Sequence, residues 1–250
     1  MRTSYTKKTI LGLGAVLLSS VAMPAFAQDA AEESSSGITV SGNAAITSDY
    51  RFRGISFSDG DIAVQGGIDI GHESGFYIGT WASSIEDSPT FGHTELDIYG
   101  GWSGEVASGI TVDVGLLYYI YPNGEDGLAG PSDYFEPYAS ISGTLGPVEA
   151  KLGVAYAPDQ AAIANDDNIY IYSDLSSGIP STPITLNAHL GYTDGSLAIS
   201  ADGDTFDWSV GADWAITENL TASLLYVGMG GPKVNDFSDD TVVFTLGVSF

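Results

Sequence analysis

From Gly37 to the last residue the dominant regularity of the chain is a period of two. In the first run Ile38, Val40, Gly42, Ala44, Ile46, Ser48, Tyr50 and Phe52 form one lane. Thr39, Ser41, Asn43, Ala45, Thr47, Asp49, Arg51 and Arg53 form the other. Successive strand side chains point to opposite faces, so one face is apolar and the other polar and charged. The alternation recurs with apolar lanes Ile62 to Ile70, Leu96 to Trp102, Ile110 to Tyr118 and Val148 to Tyr156. It continues over Ile184 to Tyr192, Phe206 to Trp214, Leu220 to Tyr226 and Val242 to Phe250. Segments 75–84, 133–145 and 168–175 also have strand composition, but neither of their lanes is clearly the apolar one. Together the pattern predicts twelve strands.

The connections sort into two classes. Those near 54–60, 85–93, 122–132, 158–167, 193–204 and 229–239 are mostly long, the first being short for its class. Those near 72–75, 105–109, 146–147, 176–182 and 215–219 are mostly short. Outer-membrane barrels alternate long outer loops with short periplasmic turns in this way. Strands of ~11 residues are also long enough to cross the hydrocarbon when tilted. Aromatics gather at predicted strand ends. Tyr50, Phe52, Tyr118, Tyr121, Tyr156, Tyr192 and Phe206 fall toward one rim, and Phe76, Trp102, Trp214 and Phe250 toward the other. Such girdles mark the two membrane interfaces. A soluble β-sandwich also alternates, but its aromatics need not track strand ends.

The N-terminus changes the compartment. Arg2, Lys7 and Lys8 precede an apolar run from Ile10 to Met23, then Pro24 and Ala25-Phe26-Ala27. This is the layout of a cleaved export signal over residues 1–27. The run of about 14 residues falls short of the ~20 that a spanning helix needs. Residues 28–36 are small, polar and acidic, and read as a disordered lead-in to a barrel over 37–250. The chain has no cysteine, hence neither a disulfide nor a lipoprotein attachment site. Beyond the signal only Arg51, Arg53, Lys151 and Lys233 stand against 32 acidic residues, which excludes a polycation for nucleic acid or anionic lipid.

The alternating Phe244, Leu246, Val248 and Phe250 end the sequence on an aromatic, resembling the signal by which outer-membrane barrels are recognised for insertion. The barrel-assembly machinery, outer-membrane lipid and lipopolysaccharide are then the expected partners. "VSGNAAITSDYRFRGIS", followed by "AVQGGIDIGHESGFYIGTWASSI" and "TELDIYGGW", resembles the TorF-type porin family, also called the Gcw_chp conserved hypothetical family. The resemblance covers essentially the whole chain after the signal and is densest from Ser41 to Ile85. It implies an outer-membrane barrel and a porin role.

The polar lane is the candidate functional surface. Asp49, Arg51, Arg53, Gln65, Asp69, Glu95, Asp97, Asp113, Glu149, Lys151, His189, Asp207 and Asp213 are expected to line the interior. Arg or Lys facing lipid at mid-depth would cost ~2–4 kcal/mol. Twelve strands lie between barrels filled by side chains and barrels that are aqueous channels, so a narrow pore is expected. Its acid excess favours cations, because rings of charge set selectivity. The alternative is a non-conducting structural or adhesive barrel whose charges pair across the lumen. Acid-rich loops such as Asp202-Gly203-Asp204 match no complete calcium-loop pattern, and no metal or cofactor is assigned. An outer-membrane phospholipase is the weakest reading, because no serine is marked as a partner for His72, His93 or His189.

Overall fold

The computed structural model describes residues 37–124 and 131–250. The expected signal segment and the whole of the lead-in lie outside the described residues. Twelve strands form one closed antiparallel barrel. They are β1 (Ile38–Thr47), β4 (Ala63–His72), β5 (Phe76–Ser88), β6 (Gly92–Ala107), β7 (Ile110–Ile120) and β8 (Tyr134–Leu145). The set continues with β9 (Val148–Gln160), β10 (Asp166–Gly178), β11 (Ile184–Gly195), β12 (Asp204–Ala215), β13 (Leu220–Met229) and β14 (Thr241–Ser249). Two short strands, β2 (Arg51–Phe52) and β3 (Ile55–Ser56), form a separate hairpin.

Closure comes from β1, which pairs with β4 over Ile38–Thr47 and with β14 over Asn43–Thr47. Closing the sheet satisfies the backbone donors and acceptors that a lipid environment cannot. The outward lane is apolar and bare, with Val40 66%, Val64 60%, Leu224 54% and Val242 57% exposed. The inward lane is polar and enclosed, with Asp97 0%, Glu95 1%, Glu136 2% and Thr245 2% exposed. An apolar surface running around the whole barrel is far larger than water-soluble proteins tolerate, and it suits lipid.

The unresolved lanes now have a direction. Phe76 and Ile78 of β5, Phe135 and Ile141 of β8, and Ile169, Ile171 and Leu175 of β10 are exposed on the outside. Tyr77, Tyr134 and Tyr170 of the same strands are buried inside. Strands β5 and β8 carry aromatics on both faces, and β10 sets Tyr170 and Tyr172 inside against Ile169 and Ile171 outside, so hydrophobicity alone could not distinguish the lanes.

The first strand requires a correction. It ends at Thr47, not at Arg53, and residues 49–58 fold into the lumen, with 59–62 exposed, instead of the whole stretch forming a short outer loop. The connection between β5 and β6 is the tight one, spanning residues 89–91. Tyr50 (1% exposed), Phe52 (6%) and Tyr121 (5%) are therefore interior residues and do not belong to the rim girdle. Tyr118, Tyr156, Phe206, Phe76, Trp214 and Phe250 do lie on the exposed outer lane.

Candidate functional site

The inward segment is built around a tight hairpin. Arg53 and Gly54 join β2 to β3, and both have left-handed backbone, φ 48° and 81°. A two-residue hairpin with both central residues at positive φ matches the twist of its strands. Gly54 is required twice over, because an added Cβ would lie 2.8 Å from Cβ of Met229. Arg53 has no such licence and is held by its side chain.

Nη2 of Arg53 donates to both carboxylate oxygens of Glu136, at 2.8 and 2.7 Å. Its guanidinium lies 4.2 Å from the ring centroid of Tyr170 and 4.8 Å from that of Phe52. Burial opposes the charge on Arg53, but the Glu136 carboxylate outweighs it, so the guanidinium holds its proton more firmly than in water. Tyr119 donates to Glu136 at 3.1 Å and stacks on Tyr134 at 4.4 Å.

Arg51 anchors the other strand of the hairpin. Its Nε donates to Asp49 at 2.5 Å, and its Nη2 to Asp239 in the 230–240 loop at 3.2 Å. Ser56 and Ser58 donate to the other Asp49 oxygen at 2.6 and 3.2 Å. Tyr50, Phe52 and Phe57 pack edge-on or tilted against one another and against Trp81 and Tyr119. Glu95 accepts from Tyr50 at 2.6 Å and Tyr121 at 2.9 Å. The half of the lumen nearer the long loops is thus filled by residues 49–58 and the side chains that grip them.

Toward the short turns the lumen is a lattice of tyrosines and carboxylates. Tyr99 donates to Asp69 at 2.5 Å, and Tyr77 to Asp113 at 2.6 Å. His189 bridges Asp174 at 2.6 Å and Asp207 at 3.0 Å, and Tyr170 donates to the same Asp207 oxygen at 3.1 Å. Lys151 Nζ lies 5.9 Å from the ring centroid of Tyr172. The rings lie against glycines. An added Cβ at Gly79 would stand 2.5 Å from the Tyr99 ring, and at Gly115 and Gly153 it would collide with Tyr138 and Tyr172.

The thirteen candidate lining residues therefore separate. Asp49, Arg51 and Arg53 sit on the inward segment and are already paired. Glu95, Asp69, Asp113, His189 and Asp207 are tied into the lattice, and Gln65 donates to Ser83 at 3.3 Å. Glu149 is exposed beside the 146–147 turn. Both carboxylate oxygens of Asp97, and one each of Asp207 and Asp213, are buried with no hydrogen-bond partner. His72 and His93 lie in exposed positions beside Ser74 and Thr94. Among the described residues no three His, Cys, Asp or Glu side chains are arranged to hold a metal ion.

Sequence reasoning missed Glu136, Asp174, Asp239 and the lumen tyrosines. For Glu136 a signal existed. In "YFEPY" the carboxylate shares its lane with Tyr134 and Tyr138, and the cost of a charge in lipid marks that lane as the inner one.

The family model for Gcw_chp, described as a bacterial protein of unknown function, matches residues 31–250. Comparison with curated proteins gives no match. Among solved structures, the NanC porin superposes with a TM-score of 0.55 at 12% identity, over 85% of this chain and 99% of that one. An outer membrane channel from Pseudomonas putida F1 gives a TM-score of 0.48 at 11% identity, over 85% and 94%. The likeness to the porin supports the barrel architecture.

Proposed function

For a chain that belongs to the Gcw_chp family of bacterial proteins, we propose the role of a porin-like outer-membrane channel for passive diffusion of small polar solutes. The observation that carries the reading is the closed barrel with an apolar outside and a continuous polar inner lane. A barrel that only anchored its loops would have no need of so many buried charges. The TorF-type porin role carried by the resemblance points the same way. An export signal over residues 1–27, insertion through the Phe244, Leu246, Val248 and Phe250 lane, and contact with lipid, lipopolysaccharide and the assembly machinery belong to this reading. No catalysis is assigned.

In this reading residues 49–58 are the constriction, with Arg51 and Arg53 as its local positive points. Asp69, Asp97, Asp113, Asp207 and Asp213 along the wall give the path a cation preference. Planar-bilayer recording with ion substitution tests it. Stepwise conductance with a cation-selective reversal potential is expected, and an anion-selective one would sink the charge argument. Replacing Arg51 and Arg53 by alanine should then raise cation selectivity.

A second reading is supported by the packing itself. Tyr50, Glu95, Asp97, Tyr119 and Glu136 are each no more than 2% exposed, which is the density of a plug. A non-conducting barrel would show no steps in the native protein, nor in the double arginine variant.

A further inference from the structure

The lumen wall holds one cation that no carboxylate neutralises. Four lysines and arginines follow residue 27, and three of them, Arg51, Arg53 and Lys233, are ion-paired. Lys151 of β9 has no carboxylate at ion-pair distance among the described residues. The register makes this unexpected. Lys151 stands directly opposite Asp174 of β10 on one side and Ser142 of β8 on the other. Directly opposed side chains have Cβ atoms about 4.5–5.5 Å apart, and opposite charges placed so ordinarily pair. Here each charge is turned to another partner. Oδ1 of Asp174 accepts from Nδ1 of His189 at 2.6 Å. The Lys151 ammonium lies 5.9 Å from the ring centroid of Tyr172. The two charges are therefore neighbours held apart.

Both are reachable from the lumen. The Asp174 side chain is 43% exposed, and its Oδ2 makes no hydrogen bond among the described residues. Lys151, Tyr172, Ser140 and Ser142 are half-buried. Inward positions of the same strands nearer the long loops, Glu136, Ala155 and Tyr170, are buried. The short-turn half of the lumen is thus an open cup, and this wall is part of its lining. One strand further round, Asp113 of β7 lies opposite Ser140 and adds a second negative charge to the neighbourhood.

A simple anion drawn to Lys151 would meet Asp174 across the ladder. A simple cation drawn to Asp174 would meet Lys151. A ligand that carries both charges close together satisfies both at once. Its carboxylate accepts from Lys151 and from the Ser142 hydroxyl, and its ammonium donates to Oδ2 of Asp174. Hydrogen bonds between ionised groups are the stronger class. Partly exposed charges nevertheless bind weakly, so millimolar affinity is expected.

We propose that Lys151 and Asp174, with Ser142, form a subsite on the lumen wall for small zwitterions whose ammonium and carboxylate share one carbon, as in α-amino acids. The subsite names a solute class for the channel reading but is measured by binding alone. Its failure leaves the channel standing, and a barrel without conductance leaves the subsite standing.

The test uses Ser142→Cys, which sets a single thiol beside Lys151 in a chain without cysteine. The folded full barrel in detergent is labelled with methyl methanethiosulfonate, a small uncharged thiol reagent. Labelling is timed with L-alanine, sodium acetate or ethylammonium chloride present, at matched ionic strength. L-Alanine is expected to slow it saturably, and acetate and ethylammonium to leave it unchanged. Lys151→Met and Asp174→Asn, each added to Ser142→Cys, should weaken the protection by about tenfold, as loss of a charged hydrogen bond does. Glu218→Gln, which removes a charge from the exposed 216–219 turn at the same mouth, should not alter it. The proposal is overturned if L-alanine gives no saturable protection, or if acetate or ethylammonium protects equally. Protection that survives Lys151→Met would overturn it too. Heat-modified gel mobility checks that each variant is folded. If Lys151→Met or Asp174→Asn does not fold, equilibrium dialysis of radiolabelled L-alanine against the native barrel decides. Saturable uptake displaced by unlabelled L-alanine but not by acetate or ethylammonium is expected, and its absence would overturn the subsite.

Discussion

At the scale of single residues, Arg53 is the keystone of the inward segment. It sits in a left-handed conformation that disfavours side chains by roughly 1–2 kcal/mol, and it is buried with its charge. Glu136 answers both costs by accepting from Nη2 with two oxygens. Arg53→Met should therefore destabilise the barrel by about 3–5 kcal/mol, because it leaves Glu136 buried and unpaired. Urea titration of the protein in lipid vesicles measures this. Arg53→Met combined with Glu136→Leu should recover most of the loss, since a buried ion pair can be replaced by apolar groups at little cost. Equal losses for the single and double variants would rule out the pair as the source. The sequence told that both arginines face inward, because charge does not face lipid. It could not tell that they leave the strand. The alternation continues through Tyr50 and Phe52, and only the contacts with Glu136 and Asp239 reveal the turn inward.

At the scale of elements, the lumen is ordered by rings lying on glycines. Tyr99 covers Gly79 across the β5–β6 pair, and Tyr172 covers Gly153 across the β9–β10 pair. A methyl group placed under a ring must push it off its carboxylate or its neighbours. Gly79→Ala and Gly153→Ala should each cost about 1–3 kcal/mol in the same titration, as overpacking does. Gly146→Ala tests whether the cost lies in the close approach, because nothing lies within 4 Å of a Cβ there. Its expected penalty is smaller and comes from backbone alone, since Gly146 has φ 66°. These rings also explain which strands could be read in advance. Strands β11 to β14 keep large apolar groups mostly outside, so their lanes were plain. Strands β5, β8 and β10 place Tyr77, Tyr134, Tyr138, Tyr170 and Tyr172 inside, so their lanes looked alike.

At the scale of the whole molecule, the outside is a solvent-exchanged core: the apolar lane meets lipid and the polar lane is enclosed. Leu224→Arg, on the bare outer lane, should cost ~2–4 kcal/mol if the residue sits at mid-depth in the bilayer. The absence of cysteine gives a clean probe of the interior. Ser142→Cys, half-buried on the inner lane of β8, should react quickly with a membrane-impermeant thiol reagent. Ser83→Cys, at a site 1% exposed beside the inward segment, should react slowly, and faster once Arg53 is replaced. Reaction of both at one rate would mean that residues 49–58 do not fill the lumen. The fold class and the twelve strands were legible because both rest on local alternation, whereas the two classes of connection were legible only in part, since residues 89–91 alone join β5 to β6. The plug was not, because it depends on pairs such as Arg53 with Glu136 that are far apart in sequence. The seam where the wall closes carries its own consequence. Strand β1 offers its full length to β4 but only Asn43–Thr47 to β14, with one further exchange between Gly42 and Phe250. The barrel is thus a zipper whose shortest row of teeth is the β1–β14 seam, and forced unravelling should start there.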